Sequence, residues 1–432
     1  MRIIQLTSND AKTGGAIAVT RLQNSLQKFG HTSQILSYSD VSVSESIHKV
    51  TRSLWWRSVD AASRRLNESI GLQGLTRPSS FLLWKEIKSF RPDIIHLHWI
   101  YGGGYIPLSM LFRLSNQYPL IWTFHDMHAF TGGCTNSLDC YRWLDKCGSC
   151  PQWRGGIYES SMPPLMHDTT SLLWRLKKYV YKKSQFSIIG PSRWITDLAR
   201  QSPLLKEKRI YHLFNGLDTD QWKPMDKRAS KIALGIDPEK KVLLFVGKPD
   251  KVFAYPGRRF MLTQIIESLR CREENFSHKY VLLLVGEGAQ DFIIDGCEIV
   301  AVGSVGSPSM LRICYNSADL LLDPTQFDNL PSVIQEALAC GIPVIASNVG
   351  GIPDLVFHKK NGYIAGPNAV TEFVDGILGL LSSDSIYDRF SYHARQYAVE
   401  NYSSAVIIEK LLEIYQETIA NKSERHKKLI EE

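Results

Sequence analysis

Two carboxylates, Asp328 and Glu336, are separated by seven residues in the segment DPTQFDNLPSVIQEALACGIPVIASNVGGIPDLV at positions 323–356. Carboxylates accept hydrogen bonds from ligand hydroxyls, and free N–H groups at the start of a helix bind phosphate oxygens. The residues expected to supply such N–H groups are Asn329, Leu330, Ser332 and Val333. The segment therefore predicts a binding site for a ligand that carries both hydroxyls and a diphosphate, as a nucleotide sugar does.

The pattern around the two carboxylates predicts a strand, a turn, a helix and a second strand. The apolar run 318–324 is typical of a buried parallel strand, and 343–346 fits the next one. Between them, Pro331 suits the first helical position, apolar residues recur at helical spacing, and Gly341 ends the helix. The first carboxylate is thus expected in the loop before the helix, and the second in its second turn.

With these elements in register, the segment resembles the donor-binding motif of retaining glycosyltransferases of family 4, of the bacterial polysaccharide-biosynthesis type. These enzymes have the two-lobed GT-B fold, and they usually carry two glutamates with the same seven-residue gap. The resemblance implies that Glu336 holds the ribose hydroxyls and that Asp328 contacts hydroxyls of the transferred sugar. Both are therefore predicted catalytic residues. Since aspartate is shorter than the usual glutamate, the identity of the donor sugar is expected to depend on this position.

Further candidate residues lie in the first half of the chain. A strand at 2–6, a turn with Gly14–Gly15 and a helix form a Rossmann-like opening. Two more strands, 92–99 and 120–124, end in polar residues, and such strand ends face the ligand crevice of a parallel sheet. The candidates are His125 as a catalytic residue, with His98 and Asp126 on the acceptor side. The resemblance implies that His125 lies near the donor sugar and that the Gly14–Gly15 turn faces the donor, whereas a lone histidine is otherwise often structural.

Basic residues near the start of the second half are the predicted diphosphate contacts. Lys248 follows the strand 242–246, where the family carries an arginine or lysine. A second family lysine is replaced here by Pro256, and Arg258 is expected to take over its phosphate contact as a bidentate donor. Later in the chain, Gly350–Gly351 are expected to let a loop approach the ligand closely.

Four of the eight cysteines fall within 17 residues, with the spacing C-x5-C-x6-C-x2-C. They are Cys134, Cys140, Cys147 and Cys150. One hypothesis is a structural zinc ion held by four thiolates, and the alternatives are reduced, packed thiols or disulfides. Similar loops, with HDMxxFTGGC followed by CGxCPQ, occur in a subset of bacterial polysaccharide glycosyltransferases. The resemblance implies that catalysis itself requires no metal or other cofactor.

Composition indicates a globular protein of two domains, because 432 residues with 44% apolar and 22% charged residues suffice for two cores. No apolar run approaches the roughly 18–20 residues that span a bilayer. The first residues lead directly into a strand without a cleavable signal pattern. We therefore expect a cytoplasmic protein, with peripheral contact to the inner face of the membrane as a further possibility.

Charge is unevenly distributed, at +13 over residues 1–215 and −6 over the remainder, and nine of the ten tryptophans lie in the first part. This favours an anionic partner, such as a membrane surface, a phosphorylated lipid carrier or nucleic acid. The alternative is chance unevenness of solvated faces. Segments 41–85 and 172–186 are candidates for membrane contact, and ordinary covering helices are the alternative for each.

We expect an α/β chain with two Rossmann-like lobes whose parallel sheets face a central cleft. The predicted parts are an acceptor lobe at 1–212 with a cysteine-rich loop at 134–150, a donor lobe at 213–395, and a crossover helix and charged tail at 396–432. The resemblance implies transfer of a hexose from a UDP- or GDP-linked donor, with retention of configuration. The expected acceptor is a saccharide, and a lipid-linked oligosaccharide is the favoured form. The expected process is the synthesis of cell-surface exopolysaccharide or lipopolysaccharide.

Two rival functions follow from the same residues. A nucleotide-sugar 2-epimerase of GT-B architecture would use similar carboxylates and histidines on the donor sugar itself. A zinc-bearing nucleic-acid-binding protein would use the basic first half and the cysteine cluster. Because the basic residues are dispersed and the second half forms a complete ligand-binding lobe, we predict no nucleic-acid partner.

Overall fold

The computed structural model describes residues 1–8, 14–37, 47–69, 74–101, 106–155, 165–247, 257–289 and 293–431. The chain divides into two compact units, one formed by residues 1–216 with 404–432 and the other by residues 217–403. The predicted boundaries, after residues 212 and 395, lie slightly before the observed ones, after residues 216 and 403. Lys248 and Pro256 lie outside the described residues.

The first unit is built on a parallel sheet of seven described strands. They are β1 (Arg2–Thr7), β2 (Thr32–Ser37), β3 (Ile47–Lys49), β4 (Ile94–Leu97), β5 (Leu120–Thr123), β6 (Ser187–Gly190) and β7 (Ile210–His212). Their order is β3-β2-β1-β4-β5-β6-β7, and every pair is parallel. The order reverses beside β1, and parallel sheets bind ligands at the carboxyl ends of their strands near such a reversal.

Helices connect these strands. They are α1 (Gly14–Lys28), α2 (Leu54–Ser69), α3 (Ser80–Phe90), α4 (Leu108–Gln117), α5 (Thr170–Lys183) and α6 (Arg193–Gln201). The glycine pair predicted to form a turn before the first helix lies instead in the first turn of α1. Helices α2 and α3 cover much of the segment 41–85, and α5 matches the basic helix predicted at 172–186.

The second unit repeats the plan with a parallel sheet of six described strands. They are β8 (Lys241–Val246), β9 (Tyr280–Val285), β10 (Glu298–Gly303), β11 (Leu320–Asp323), β12 (Val344–Ser347) and β13 (Gly362–Ala365), in the order β10-β9-β8-β11-β12-β13. The helices are α7 (Lys227–Ala233), α8 (Arg258–Arg272), α9 (Phe276–Lys279), α10 (Pro308–Ser317), α11 (Ser332–Ala339), α12 (Val370–Leu380) and α13 (Asp384–Tyr402). All residues of β9 and β11 are buried, as expected for strands covered on both faces.

The last helix, α14 (Ser404–Glu431), belongs to the first unit. It is fixed there by buried polar contacts: the Ser25 hydroxyl donates to Ser404 Oγ at 3.0 Å, and Tyr415 Oη lies 2.8 Å from His96 Nδ1. The fold-class prediction is thus confirmed: the chain forms two Rossmann-like units with parallel sheets, and its C-terminal helix returns to the first. Among the described helices, none is long and apolar enough to cross a membrane.

Candidate active site

The first carboxylate of the motif, Asp328, lies in the loop between β11 and α11. Its Oδ1 accepts a hydrogen bond from the Leu330 N–H at 3.1 Å. The sequence predicted that this N–H would point at a ligand. In the structure its partner is instead the side chain of Asp328. Pro331 adopts an extended backbone (φ −67°, ψ 117°) and caps the helix instead of starting it, while Ser332 and Val333 begin α11 without a side-chain cap.

The second carboxylate, Glu336, is buried in the second turn of α11, with 4% of its surface exposed. The hydroxyl of Tyr315, a fully buried residue of α10, donates to Glu336 Oε2 at 2.7 Å. A carboxylate with a fixed donor on one oxygen keeps a single side-chain orientation. Sequence reasoning missed Tyr315, because nothing in its spacing marks which tyrosine of the preceding helix meets the glutamate.

Arg258, the first residue of α8, reaches the same loop. Its Nε donates to Thr325 Oγ1 at 3.0 Å, and its Nη2 lies 3.9 Å from Asp328 Oδ2. Burial raises the pKa of Asp328 to about 6, and the Arg258 charge acts against that rise. Burial likewise raises the pKa of Asp323, whose Oδ2 has no hydrogen-bond partner among the described residues. The structure therefore gathers one guanidinium and two carboxyls where the sequence predicted separate sugar and phosphate contacts.

The glycine pair at 350–351 packs against the backbone of the first carboxylate residue. Gly350 has φ 54°, and a Cβ atom there would lie 1.8 Å from the Asp328 carbonyl oxygen. The Gly351 N–H donates to that same oxygen at 3.2 Å. The close approach predicted for this loop is thus an approach to Asp328, whose position it helps to fix.

In the first unit, three histidines at and after the ends of β4 and β5 form one cluster, in which His96 and His98 are buried and His125 is half-buried. His96 contacts Tyr415 Oη at 2.8 Å and Thr123 Oγ1 at 2.7 Å. His98 Nδ1 lies 3.2 Å from His125 Nε2. An open pocket with about 370 Å³ of empty volume is lined by all three side chains. The structure therefore brings the predicted residues His98 and His125 together at one pocket.

A chain of buried amides fixes the proton positions in this cluster. Gln5 Nε2 donates to Gln23 Oε1 at 2.9 Å, so Gln5 Oε1 accepts from His98 Nε2 at 3.2 Å. His98 Nδ1 is then an acceptor, and His125 must donate to it from Nε2. Burial lowers the pKa of His125 to about 3, so its ring is neutral near pH 7. Sequence reasoning missed Gln5 and Gln23, because only their place on buried faces marks them.

Asp126 and Trp99 form the outer part of the cluster. The Trp99 ring stacks on His125 with centroids 4.2 Å apart, and its Nε1 donates to Asp126 Oδ2 at 2.9 Å. Asp126 also accepts from the His128 N–H at 2.8 Å, and burial raises its pKa to about 7. A Cβ on Gly15 would lie 1.4 Å from the Trp99 ring, so the absence of a side chain at Gly15 makes room for the indole.

The four clustered cysteines are free thiols and line one pocket. Burial raises the pKa of Cys134 and of Cys147 to about 12. Across the described part of the chain, no three His, Cys, Asp or Glu side chains are already arranged as ligands of a metal ion. The zinc hypothesis therefore stays a prediction.

The two parallel-sheet units and their strand-end sites define a protein of the GT-B class. Residues 13–221 match the family model described as "Glycosyltransferase Family 4", and residues 240–383 match the model described as "Glycosyl transferases group 1". The chain belongs to the family-4 glycosyltransferases.

Similar proteins agree with this assignment. Alpha-maltose-1-phosphate synthase of Mycobacterium tuberculosis is 26% identical over 247 residues, which are 52% of this chain and 61% of that protein. Among solved structures, the sucrose-phosphate synthase of Thermosynechococcus elongatus has a TM-score of 0.66 at 15% identity and covers 98% of this chain and 100% of its own. HepE of Anabaena in complex with UDP-glucose has a TM-score of 0.61 at 15% identity, over 96% and 100% of the two chains. The match thus spans less than two thirds of alpha-maltose-1-phosphate synthase. The structural likenesses establish the fold.

Proposed function

We propose that this chain transfers a hexose from a nucleotide-sugar donor to a saccharide acceptor, with retention of configuration. The observation that carries the proposal is Glu336, a buried carboxylate held by Tyr315 in the second turn of α11. A fixed acceptor of this kind suits the paired hydroxyls of a ribose, because it meets them without losing side-chain entropy on binding. The family motif assigns the same role to this position.

The other donor contacts are assigned around it. Asp328 would accept from hydroxyls of the transferred sugar, and Arg258 and Lys248 would bind the diphosphate together with the N–H groups at the start of α11. The departing nucleotide diphosphate gains negative charge, so these cationic and N–H groups supply the main catalytic stabilisation. His125, neutral near pH 7, completes the proposed catalytic set as an uncharged hydrogen-bonding group. This assignment needs no metal ion.

The donor is proposed to be UDP- or GDP-linked. HepE, which shares the fold, has been solved with UDP-glucose. The proposed acceptor is a lipid-linked oligosaccharide used to build a cell-surface polysaccharide, because the first 215 residues carry a net charge of +13 that favours an anionic carrier.

Peripheral contact with an anionic membrane is part of the proposal. On α2, Leu54 is 80% exposed and Trp55 is 63% exposed, and Arg57 lies on the same exposed helix end. Exposed apolar residues beside basic ones are typical of helices that lie in a membrane interface. Flotation with vesicles of anionic lipid should recover the protein, and Trp55→Ser should reduce that recovery, whereas neutral vesicles should bind neither form.

A thermal-shift screen with UDP-, GDP- and ADP-linked sugars tests the donor assignment. At least one donor should raise the melting temperature of the natural chain, and Glu336→Gln should abolish most of that rise. Glu239→Ala, which changes an exposed carboxylate of the same unit, should retain it.

Product analysis separates transfer from its rival. With the stabilising donor and a saccharide acceptor, NMR should show a new glycosidic bond with the anomeric configuration of the donor. An epimerised sugar formed from the donor alone would overturn the transferase proposal, and so would the absence of stabilisation by every donor.

A further inference from the structure

The segment that follows β5 holds four thiols around one pocket although it contains little regular structure. Between residues 131 and 155, the structure assigns only one short 3-10 helix, Arg142–Leu144. All four cysteines of the segment line the same pocket. Long irregular segments in compact domains are usually either functional or disordered. A bound Zn²⁺ is one means of holding such a segment in place.

The backbone turns sharply so that two of the cysteines share one face. Cys147 (φ 51°), Gly148 (φ 100°) and Ser149 (φ 45°) are three successive residues in the left-handed region. Such a turn is unfavourable for the two residues with side chains. Its result is that Cys147 and Cys150, only three positions apart, both line the pocket, as the C-x2-C half of a metal chelate requires.

One hydrogen-bond donor is directed at a sulfur atom of the cluster: the Gln152 N–H donates to Cys150 Sγ at 3.4 Å. The Thr131 hydroxyl donates instead to the Cys134 carbonyl oxygen at 2.6 Å. A donor to sulfur stabilises a thiolate, and such donors form the outer shell of thiolate metal sites.

A buried cation lies beside the cluster. Lys177 of α5 is 3% exposed, and its ammonium donates to the carbonyl oxygens of His128 and Thr131. Thr131 in turn donates its hydroxyl to the Cys134 carbonyl oxygen at 2.6 Å, so the ammonium lies beside the start of the cluster. Four thiolates around one Zn²⁺ carry a net charge of −2, so a buried ammonium at this place would offset part of it.

We propose that Cys134, Cys140, Cys147 and Cys150 bind one structural Zn²⁺ as thiolates, with Lys177 as a neighbouring counter-charge. Binding would release the four thiol protons to solvent. Because no three ligands are already arranged around a common point in the described chain, the thiols must turn toward the ion to reach Zn–S distances of about 2.3 Å.

The proposed ion would brace the end of β5. The Met127 N–H donates to the Thr135 carbonyl at 3.0 Å, and Lys177 donates to the His128 and Thr131 carbonyl oxygens between these two residues. Asp126, the adjoining residue, holds the Trp99 indole against His125. Loss of the ion is therefore expected to disturb the histidine pocket as well as the loop.

Metal analysis of the full-length protein, purified without chelators or a polyhistidine tag, tests the proposal. Inductively coupled plasma mass spectrometry should find about one zinc per chain. The double variant Cys147→Ser/Cys150→Ser should lose it, while Cys271→Ser, which changes an exposed cysteine of the second unit, should retain it. Substoichiometric zinc that is unchanged in the double variant would overturn the proposal.

A second measurement covers the case in which the double variant fails to fold. A mercurial reagent titrated into the natural protein should release one zinc, read with a chromogenic chelator, as four thiols react. Reaction of the four clustered thiols without zinc release would show packed, reduced cysteines, and a mass lower by two or four hydrogen atoms under non-reducing conditions would show disulfides. Either outcome refutes the metal site.

Discussion

Replacing Tyr315 by phenylalanine removes one hydroxyl and leaves the ring in place. That hydroxyl donates to Glu336 Oε2 at 2.7 Å, and both residues are buried. The substitution creates no large cavity, so its effect comes from the lost hydrogen bond to the carboxylate. It therefore measures how firmly the structure holds the proposed ribose contact.

The magnitude follows from the kind of bond that is lost. A hydrogen bond to a charged group contributes about 1.5–3 kcal/mol to stability. For a unit of the size of residues 217–403, each kcal/mol lowers the melting temperature by about 2–4 °C, which gives a decrease of about 3–12 °C. Freeing the carboxylate to rotate adds about 0.5–1.5 kcal/mol of ordering cost on ligand binding, or a rise in Kd of about 2- to 12-fold.

Differential scanning calorimetry measures the first effect, and isothermal titration calorimetry with the stabilising nucleotide measures the second. Tyr280→Phe is a matched control, because Tyr280 is equally buried in the same unit but its hydroxyl lies 3.5 Å from Glu273, at the limit of a hydrogen bond. If Tyr315→Phe were no less stable than Tyr280→Phe, the bond to Glu336 would contribute nothing and the argument would fail. A loss of stability with unchanged Kd would keep the bond but remove Glu336 from the ligand site.

Two further predictions concern the amide chain and the effect of pH. Gln5→Leu should remove the acceptor that fixes the His98 tautomer and so change the imidazole nitrogen signals of His98 and His125 in NMR spectra. The loss of one neutral hydrogen bond should lower kcat by about 2- to 12-fold. Unchanged imidazole signals would contradict the assignment, and Gln27→Leu is the control. Burial opposes ionisation of Asp319, but the Lys227 and Lys231 charges outweigh it and lower its pKa. Because the folded pKa lies below the unfolded value of about 3.9, the stability it contributes is present above that pH and is lost as pH falls through the folded pKa. Urea unfolding should therefore show a steeper decline below about pH 4 in the natural chain than in Asp319→Asn, and equal slopes would rule out this role.

Much of the second unit could be predicted because its signals are local. A short apolar run, a proline before a helix and a glycine after it are consequences of backbone geometry, so the strand at 320–323 and the helix at 332–339 agree with the pattern. The resemblance to family 4, confirmed by the matching family descriptions, rests on this same stretch.

The contacts that define the sites were not predictable in the same way, because they join residues distant in sequence. Tyr315 meets Glu336 from another helix, and Arg258 meets Thr325 across 67 positions. Gly15 was predicted to face a ligand, yet the space beside it holds the Trp99 ring. Such pairings depend on how strands and helices are placed in three dimensions, which no local spacing encodes.

The fold class, the family, the loop that carries Asp328 and the helix that carries Glu336 could be predicted from the sequence, because periodicity and turn residues act over a few positions. Which donors and acceptors each of these side chains meets depends on the packing of the folded chain. It turned the Leu330 N–H toward Asp328 and joined Gln5, His98 and His125 into one hydrogen-bonded chain. Burial, which sets their protonation, is likewise a property of the folded chain and not of any one segment.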